Sequence, residues 1–193
     1  MTSDALEALL AGNERFVAGE RIHPRLTEKR EALANHQNPF AVVLSCSDSR
    51  VPPELVFDCG LGALFVIRVA GNFADPIGIG SIEYAVAHFG SPLLLVMGHS
   101  GCGAITATVD SLRGHGGRAP GHIADIVDAL TPATKIALEQ PGDPYANAVA
   151  ENVRETAKRL QEAAPILSAA VASHALRVVG GVYDLKSGRV AIL

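Results

Sequence analysis

A chain of 193 residues with 48% hydrophobic and only 19% charged residues has the length of one domain and enough apolar surface for a large subunit interface as well as a core. Its net charge of −4 gives neither nucleic acid nor an anionic membrane an electrostatic hold on it. Three cysteines, Cys46, Cys59 and Cys102, argue against a disulfide framework and for reduced thiols in a cytoplasmic setting.

The first residues, MTSDALEALL, are too acidic for a secretory n-region, and apolar runs such as 93–97 are too short to cross a bilayer. Residues 4–17 carry Leu6, Leu9, Leu10 and Phe16 near helical spacing and predict an amphipathic helix. Residues 26–37 predict a second, polar helix, stopped by Asn38-Pro39. Together, residues 1–38 read as an N-terminal helical arm on a single domain spanning 1–193.

Short apolar runs at 40–44, 63–69 and 92–97 predict buried strands, with helical stretches at 54–57 and 77–88 between them. The glycine-rich stretch 114–121 predicts a loop. A fourth strand at 176–182 follows a long helical region, and a turn at 184–188 leads to a short last strand at 189–193. This alternation implies an α/β fold with a central, mainly parallel sheet and flanking helices.

The first strand runs into Cys46, Asp48 and Arg50, at every second position. The third runs into His99 and Cys102, in a glycine-rich turn. Taken alone, a buried cysteine is most often a small inert hydrophobe, and an Asp–Arg pair on a loop is usually a structural ion pair. Matched placement past two strand ends favours a metal site. Two thiols and an imidazole suit zinc, whose catalytic sites usually keep three protein ligands and one open position. Gly98, Gly101 and Gly103 would let the backbone turn tightly about the ion. Cys102 would stand at a helix N-terminus, where a thiolate is favoured.

If Cys46 and His99 share one ion, the first and third strands are neighbours. The strand order is then 2-1-3-4 with a short extra C-terminal strand, and the ligands meet at a switch point, where open α/β sheets bind ligands. Zinc could lower the pKa of a bound water and make hydroxide near neutral pH. Two thiolates would weaken it as a Lewis acid. Asp48 could accept a hydrogen bond from that hydroxide and orient it, with Arg50 holding Asp48 ionised. Alternatively, Asp48 could itself take the fourth position and close the site.

CSDSR at 46–50 followed by HSGCG at 99–103 resembles the β-class carbonic anhydrases. The similarity runs from about Asn13 to Val182 and includes FDCGLGALFVIRVAGN (57–72) and GSIEYAV (80–86). The resemblance implies an enzyme with one zinc ion per chain that interconverts carbon dioxide and bicarbonate. It implies Cys46, His99 and Cys102 as zinc ligands and Asp48 and Arg50 as the catalytic dyad. Gly103 is implied as a backbone donor facing the substrate, and Gln37 as a substrate contact reaching across a dimer interface. It further implies a homodimer, often paired into a dimer of dimers, with the N-terminal helix wrapping the partner.

Arg68 and Tyr183 resemble two members of the inhibitory bicarbonate pocket of one subgroup, but Val43 stands where its Trp would be. Arg68 would then form a structural salt bridge instead. Val51 and Phe65 are pocket walls by analogy, Cys59 is read as core, and His115 or His122 could relay protons to buffer. The motifs leave two other readings open. One is a carbonyl sulfide or carbon disulfide hydrolase on the same scaffold. The other is a closed, non-catalytic zinc site.

Overall fold

The computed structural model of the chain describes residues 2–22, 30–115 and 117–193. Helix α1 (Thr2–Ala18) and a single turn, α2 (Arg30–Leu33), precede the sheet. Then come β1 (Ala41–Ser45), α3 (Pro53–Val56), β2 (Leu64–Arg68), α4 (Pro76–Phe89) and β3 (Leu93–His99). Four helices follow in succession: α5 (Gly103–Leu112), α6 (Ile123–Leu138), α7 (Pro144–Gln161) and α8 (Ile166–Ala172). The chain ends with β4 (Arg177–Tyr183) and β5 (Val190–Ile192).

The sheet has the order β2-β1-β3-β4-β5. The first three pairings are parallel and β4–β5 is antiparallel. This is the expected order with the expected extra strand. Strands β1 and β3 are buried at every position, which explains their unbroken apolar runs: helices cover both faces of a parallel sheet. The edge strand β2 is only half-buried along Leu64–Ile67. One apolar cluster joins Val43, Leu95 and Met97 to Leu9 of α1, Ile105 of α5 and Leu130 of α6. The other joins Leu44 and Val96 to Ile82 of α4, Val153 of α7 and Leu167 of α8.

Helix boundaries follow local chemistry. Asp75 caps α4 by accepting from the Gly78 amide, Pro76 opens the helix, and Gly90 closes it in the left-handed region at φ 63°; each sits where helix ends favour it. Asp143 and Pro144 open α7 in the same way.

Two expectations need correction. Of the second predicted helix, residues 26–29 lie outside the described residues, and only Arg30–Leu33 of the rest is helical. His99 is not in the turn after β3: Gly98 and His99 continue the strand, paired with Val182 and Tyr183. Helix α1 also packs on its own chain, through the fully buried Leu9. Asn13 anchors it, donating to the carbonyls of Val56 and Gly188 at 3.0 and 2.8 Å and accepting from the Val190 amide at 2.9 Å.

Candidate functional site

Sheet register brings the two motifs together. Ser45, the last residue of β1, pairs with Met97 of β3. Cys46 is the next residue of the first strand, and His99 ends the third. Cys102 is the N-cap of α5. The Cys46 and Cys102 sulfurs and an imidazole nitrogen of His99 lie within 4.8 Å of one another, and all three side chains are buried.

His99 is prepared to be a ligand. Its Nδ1 lies 3.0 Å from the Ser100 carbonyl, which can only accept, so Nδ1 carries the proton. Its Nε2 then presents a lone pair, and among the described residues this buried atom has no hydrogen-bond partner. A buried polar atom left without a partner is costly. Facing two sulfurs, it fits a cation that prefers sulfur and nitrogen donors, as zinc does.

The two thiols divide one charge between them. The Cys102 thiol beside Cys46, with His99 and the amide of Gly71, holds Cys46 well below the usual thiol range against the effect of burial. That thiolate and burial push Cys102 upward, and the amides of Ala104 and Ile105 at the start of α5 only partly offset them. The amides at the start of α5 favour the Cys102 thiolate, as expected of a helix terminus, and the neighbouring Cys46 opposes them. Burial pulls His99 down, but the neighbouring Cys46 thiolate outweighs it, and the imidazole pKa is raised. A cation entering such a set displaces protons.

Asp48 stands at the rim, with Oδ2 3.9 Å from His99 Nε2. Arg50 grips both carboxylate oxygens, Nε to Oδ1 at 2.9 Å and Nη2 to Oδ2 at 2.7 Å. The Arg50 backbone amide donates to Oδ1 as well, at 2.9 Å. These bonds hold the Asp48 carboxyl far below the usual carboxylate range.

Arg68 is a support that the sequence reading misassigned. Its Nε donates to the Cys46 carbonyl at 3.0 Å, and its Nη2 donates to the Asp48 carbonyl. It clamps the backbone at Cys46 and Asp48, in place of the structural salt bridge expected of it. Val43 and Tyr183 are buried core residues. Behind Cys46, the Gly71 amide donates to its Sγ at 3.4 Å. On the other loop, Ser100 Oγ donates to Asp184 at 3.1 Å and accepts from the Leu185 amide at 2.9 Å. That tie fixes the turn after β3 to the turn after β4.

Other expected residues lie elsewhere. Gln37 is exposed and precedes β1, whereas the cluster lies at the strand's carboxyl end, so Gln37 does not join the site of its own chain. Gly103 opens α5 with nothing within 4 Å of where a Cβ would stand. Val51 is buried just after the dyad. Phe65 pairs with Val42 and its ring lies tilted against those of Tyr84 and Phe89 of α4. Cys59 is half-buried and donates to the Phe57 carbonyl at 3.3 Å, and burial pushes its pKa up to about 12. His115 is exposed, and His122 faces Asp125 at 2.9 Å on the surface. Among the described residues no helix is long and apolar enough to cross a membrane.

A family model described as carbonic anhydrase matches residues 41–190. A carbonic anhydrase of Mycolicibacterium smegmatis is 40% identical over 97% of this chain and 91% of its own length. Carbonic anhydrase 2 of Mycobacterium tuberculosis is 38% identical over the same shares, 97% and 91%. Among solved structures, the Coccomyxa β-carbonic anhydrase in complex with acetazolamide superposes with a TM-score of 0.77 at 27% identity, covering 100% of this chain and 86% of that one. A structure from work on two tetrameric β-carbonic anhydrases of Sordaria macrospora gives a TM-score of 0.77 at 26% identity, covering 98% and 97%.

Proposed function

The chain belongs to the β-class carbonic anhydrases, and we propose that it catalyses the reversible hydration of carbon dioxide to bicarbonate and a proton, with one zinc ion held by Cys46, His99 and Cys102. The observation that carries this reading is the partnerless Nε2 of His99, facing two sulfurs with Asp48 alongside. When bound, zinc supplies a Lewis acid that makes water nucleophilic near neutral pH.

The chain's own groups supply position and proton control. Asp48 is ionised and acceptor-only, so it takes a hydrogen bond from the attacking water and turns a lone pair toward the substrate. Arg50 occupies both carboxylate oxygens of Asp48. That grip keeps Asp48 from swinging inward as a fourth ligand, and Asp48 lies outside the three-ligand group. The Gly103 amide, at the open head of α5, offers a donor to a product oxygen.

Gln37 reaches substrate only from a second copy, and we assign the working unit as a homodimer or a dimer of dimers. The half-buried edge strand β2 and exposed Ile77 and Tyr84 of α4 support an interface on that side. The reduced cysteines fit a cytoplasmic setting.

Stopped-flow hydration of carbon dioxide by zinc-loaded protein from about pH 6.5 to about pH 9, where metal-bound water ionises, tests the reading. The expected result is turnover that rises with pH. Absence of turnover with one zinc per chain confirmed would overturn it, and turnover on carbonyl sulfide instead would reassign the substrate.

A further inference from the structure

Behind Cys46 lies a hydrogen-bonded chain that ends on a helix remote in sequence. Residues 69–72 form a tight turn closed by the Asn72 amide donating to the Val69 carbonyl at 2.8 Å. Gly71 takes φ +83° at its third position, where a type II turn requires a positive φ. A Cβ on Gly71 would stand 2.8 Å from Leu130 Cδ1, so this glycine is required by conformation and by space. The central peptide of such a turn has two faces, and in this one the Gly71 N–H points at Cys46 Sγ, 3.4 Å away.

What holds that turn is Asn152 of α7. Its Nδ2 donates to the Gly71 carbonyl at 2.8 Å, and the side chain is only 3% exposed. Asparagine is a weak helix former, and a buried amide in the middle of α7 has no packing advantage over leucine. Its bond to Gly71 accounts for it.

We propose that Asn152 is a positioning residue for the metal ligand Cys46, acting through the backbone of Gly71. The proposal rests on the reading of Cys46 as a ligand. Asn152 fixes the Gly71 carbonyl, and so the residue whose N–H, on the preceding peptide, faces the thiolate. That N–H fixes the direction of Sγ and draws off part of its negative charge, so the sulfur donates less to the ion. Outer partners of this kind orient ligands and tune the metal.

Cobalt(II) titration of the metal-free protein tests this, read by the thiolate-to-cobalt charge-transfer band and by competition with a chelator. Asn152→Leu keeps most of the volume without a donor, and Asn152→Ala removes both. Either should shift the band to lower energy and weaken cobalt binding about tenfold to a hundredfold. Leu160→Ala, about two turns further along α7 and fully buried, is the control for lost stability and should leave the band in place. A band unmoved in the Asn152 variants would overturn the proposal while leaving the ligand reading intact. A wild-type protein with no thiolate band would overturn both.

A second measurement needs no variant. In cadmium-113-loaded wild-type protein, the Gly71 amide proton should show scalar coupling to the metal through the N–H···S bond. Its absence, with the Cys46 β-protons coupled normally, would overturn the proposal.

Discussion

Arg50 holds Asp48 by three hydrogen bonds, two from its guanidinium and one from its own backbone amide. The ring is closed within three residues, so the dyad is set by local chain geometry and needs no other element to form. The pair is solvent-facing on the Arg50 side, whose side chain is 57% exposed, and screening there keeps its contribution to stability small. Its importance lies in the protonation state and direction of Asp48.

Replacing Asp48 by Ala should leave zinc bound and lower hydration near neutral pH by about a hundredfold, the scale of a lost proton-handling group. Metal analysis beside stopped-flow rates checks it. A variant with near wild-type rates would remove Asp48 from the mechanism.

Arg50→Gln should raise the Asp48 pKa toward the ordinary value of about 3.9, read from the carbon-13 shift of its carboxyl. The folded-state value is depressed. The stabilisation from ionised Asp48 is therefore complete above the unfolded value and is lost as pH falls from there through the folded one. Arg50→Gln should shrink that acid-side loss and leave stability at pH 7 to 8 lower by only a small amount. An unmoved carboxyl titration would show that the guanidinium does not control Asp48.

Arg68 joins β2 to the loop that carries both a ligand and the dyad. Arg68→Ala strips the carbonyls of Cys46 and Asp48 of their donor. Zinc affinity should fall about tenfold or more, as for other outer-shell losses, with a lower rate even at saturating zinc. Equilibrium dialysis and saturating-metal rates separate the two effects. If both stayed at wild-type values, the clamp would have no functional weight.

Most of this arrangement was legible in the sequence for a physical reason. The proposed ligands Cys46, His99 and Cys102 follow or end strands whose apolar runs announce themselves, and a shared ion would require those strands to be neighbours. The supports were not legible. Arg68 looks like a salt-bridging residue because sequence shows its charge and not the backbone carbonyls it finds. Asn152 sits in a polar helix where an asparagine draws no notice, and its partner Gly71 lies 81 positions away. Only its status as a weak helix former inside an amphipathic pattern could have marked it.

Cys102→Ser and His99→Ala should each retain the fold yet lose zinc on dialysis, falling well below one ion per chain. Cys59→Ser is the matched control, because the Cys59 thiol donates to the Phe57 carbonyl and lies outside the three-residue cluster, so the variant should keep full zinc. Equal zinc in all three variants would place the ion elsewhere.

Gly98 separates the metal reading from plain packing. It lies between His99 and the sheet interior, and the sequence suggested that it eases the turn about an ion. Yet a Cβ there would meet Val153 Cγ2 of α7 at 2.7 Å and Val149 Cγ1 at 3.3 Å. Its small size therefore serves the close approach of α7 to β3. Gly98→Ala should cost about 1–3 kcal/mol by overpacking, read from denaturant unfolding. Val153→Ala alone should also destabilise, by cavity formation, but the double variant should be less destabilised than the sum of the two. Strict additivity would mean that the added methyl strains the His99 strand end itself, and the turn about the ligands would then be what requires Gly98.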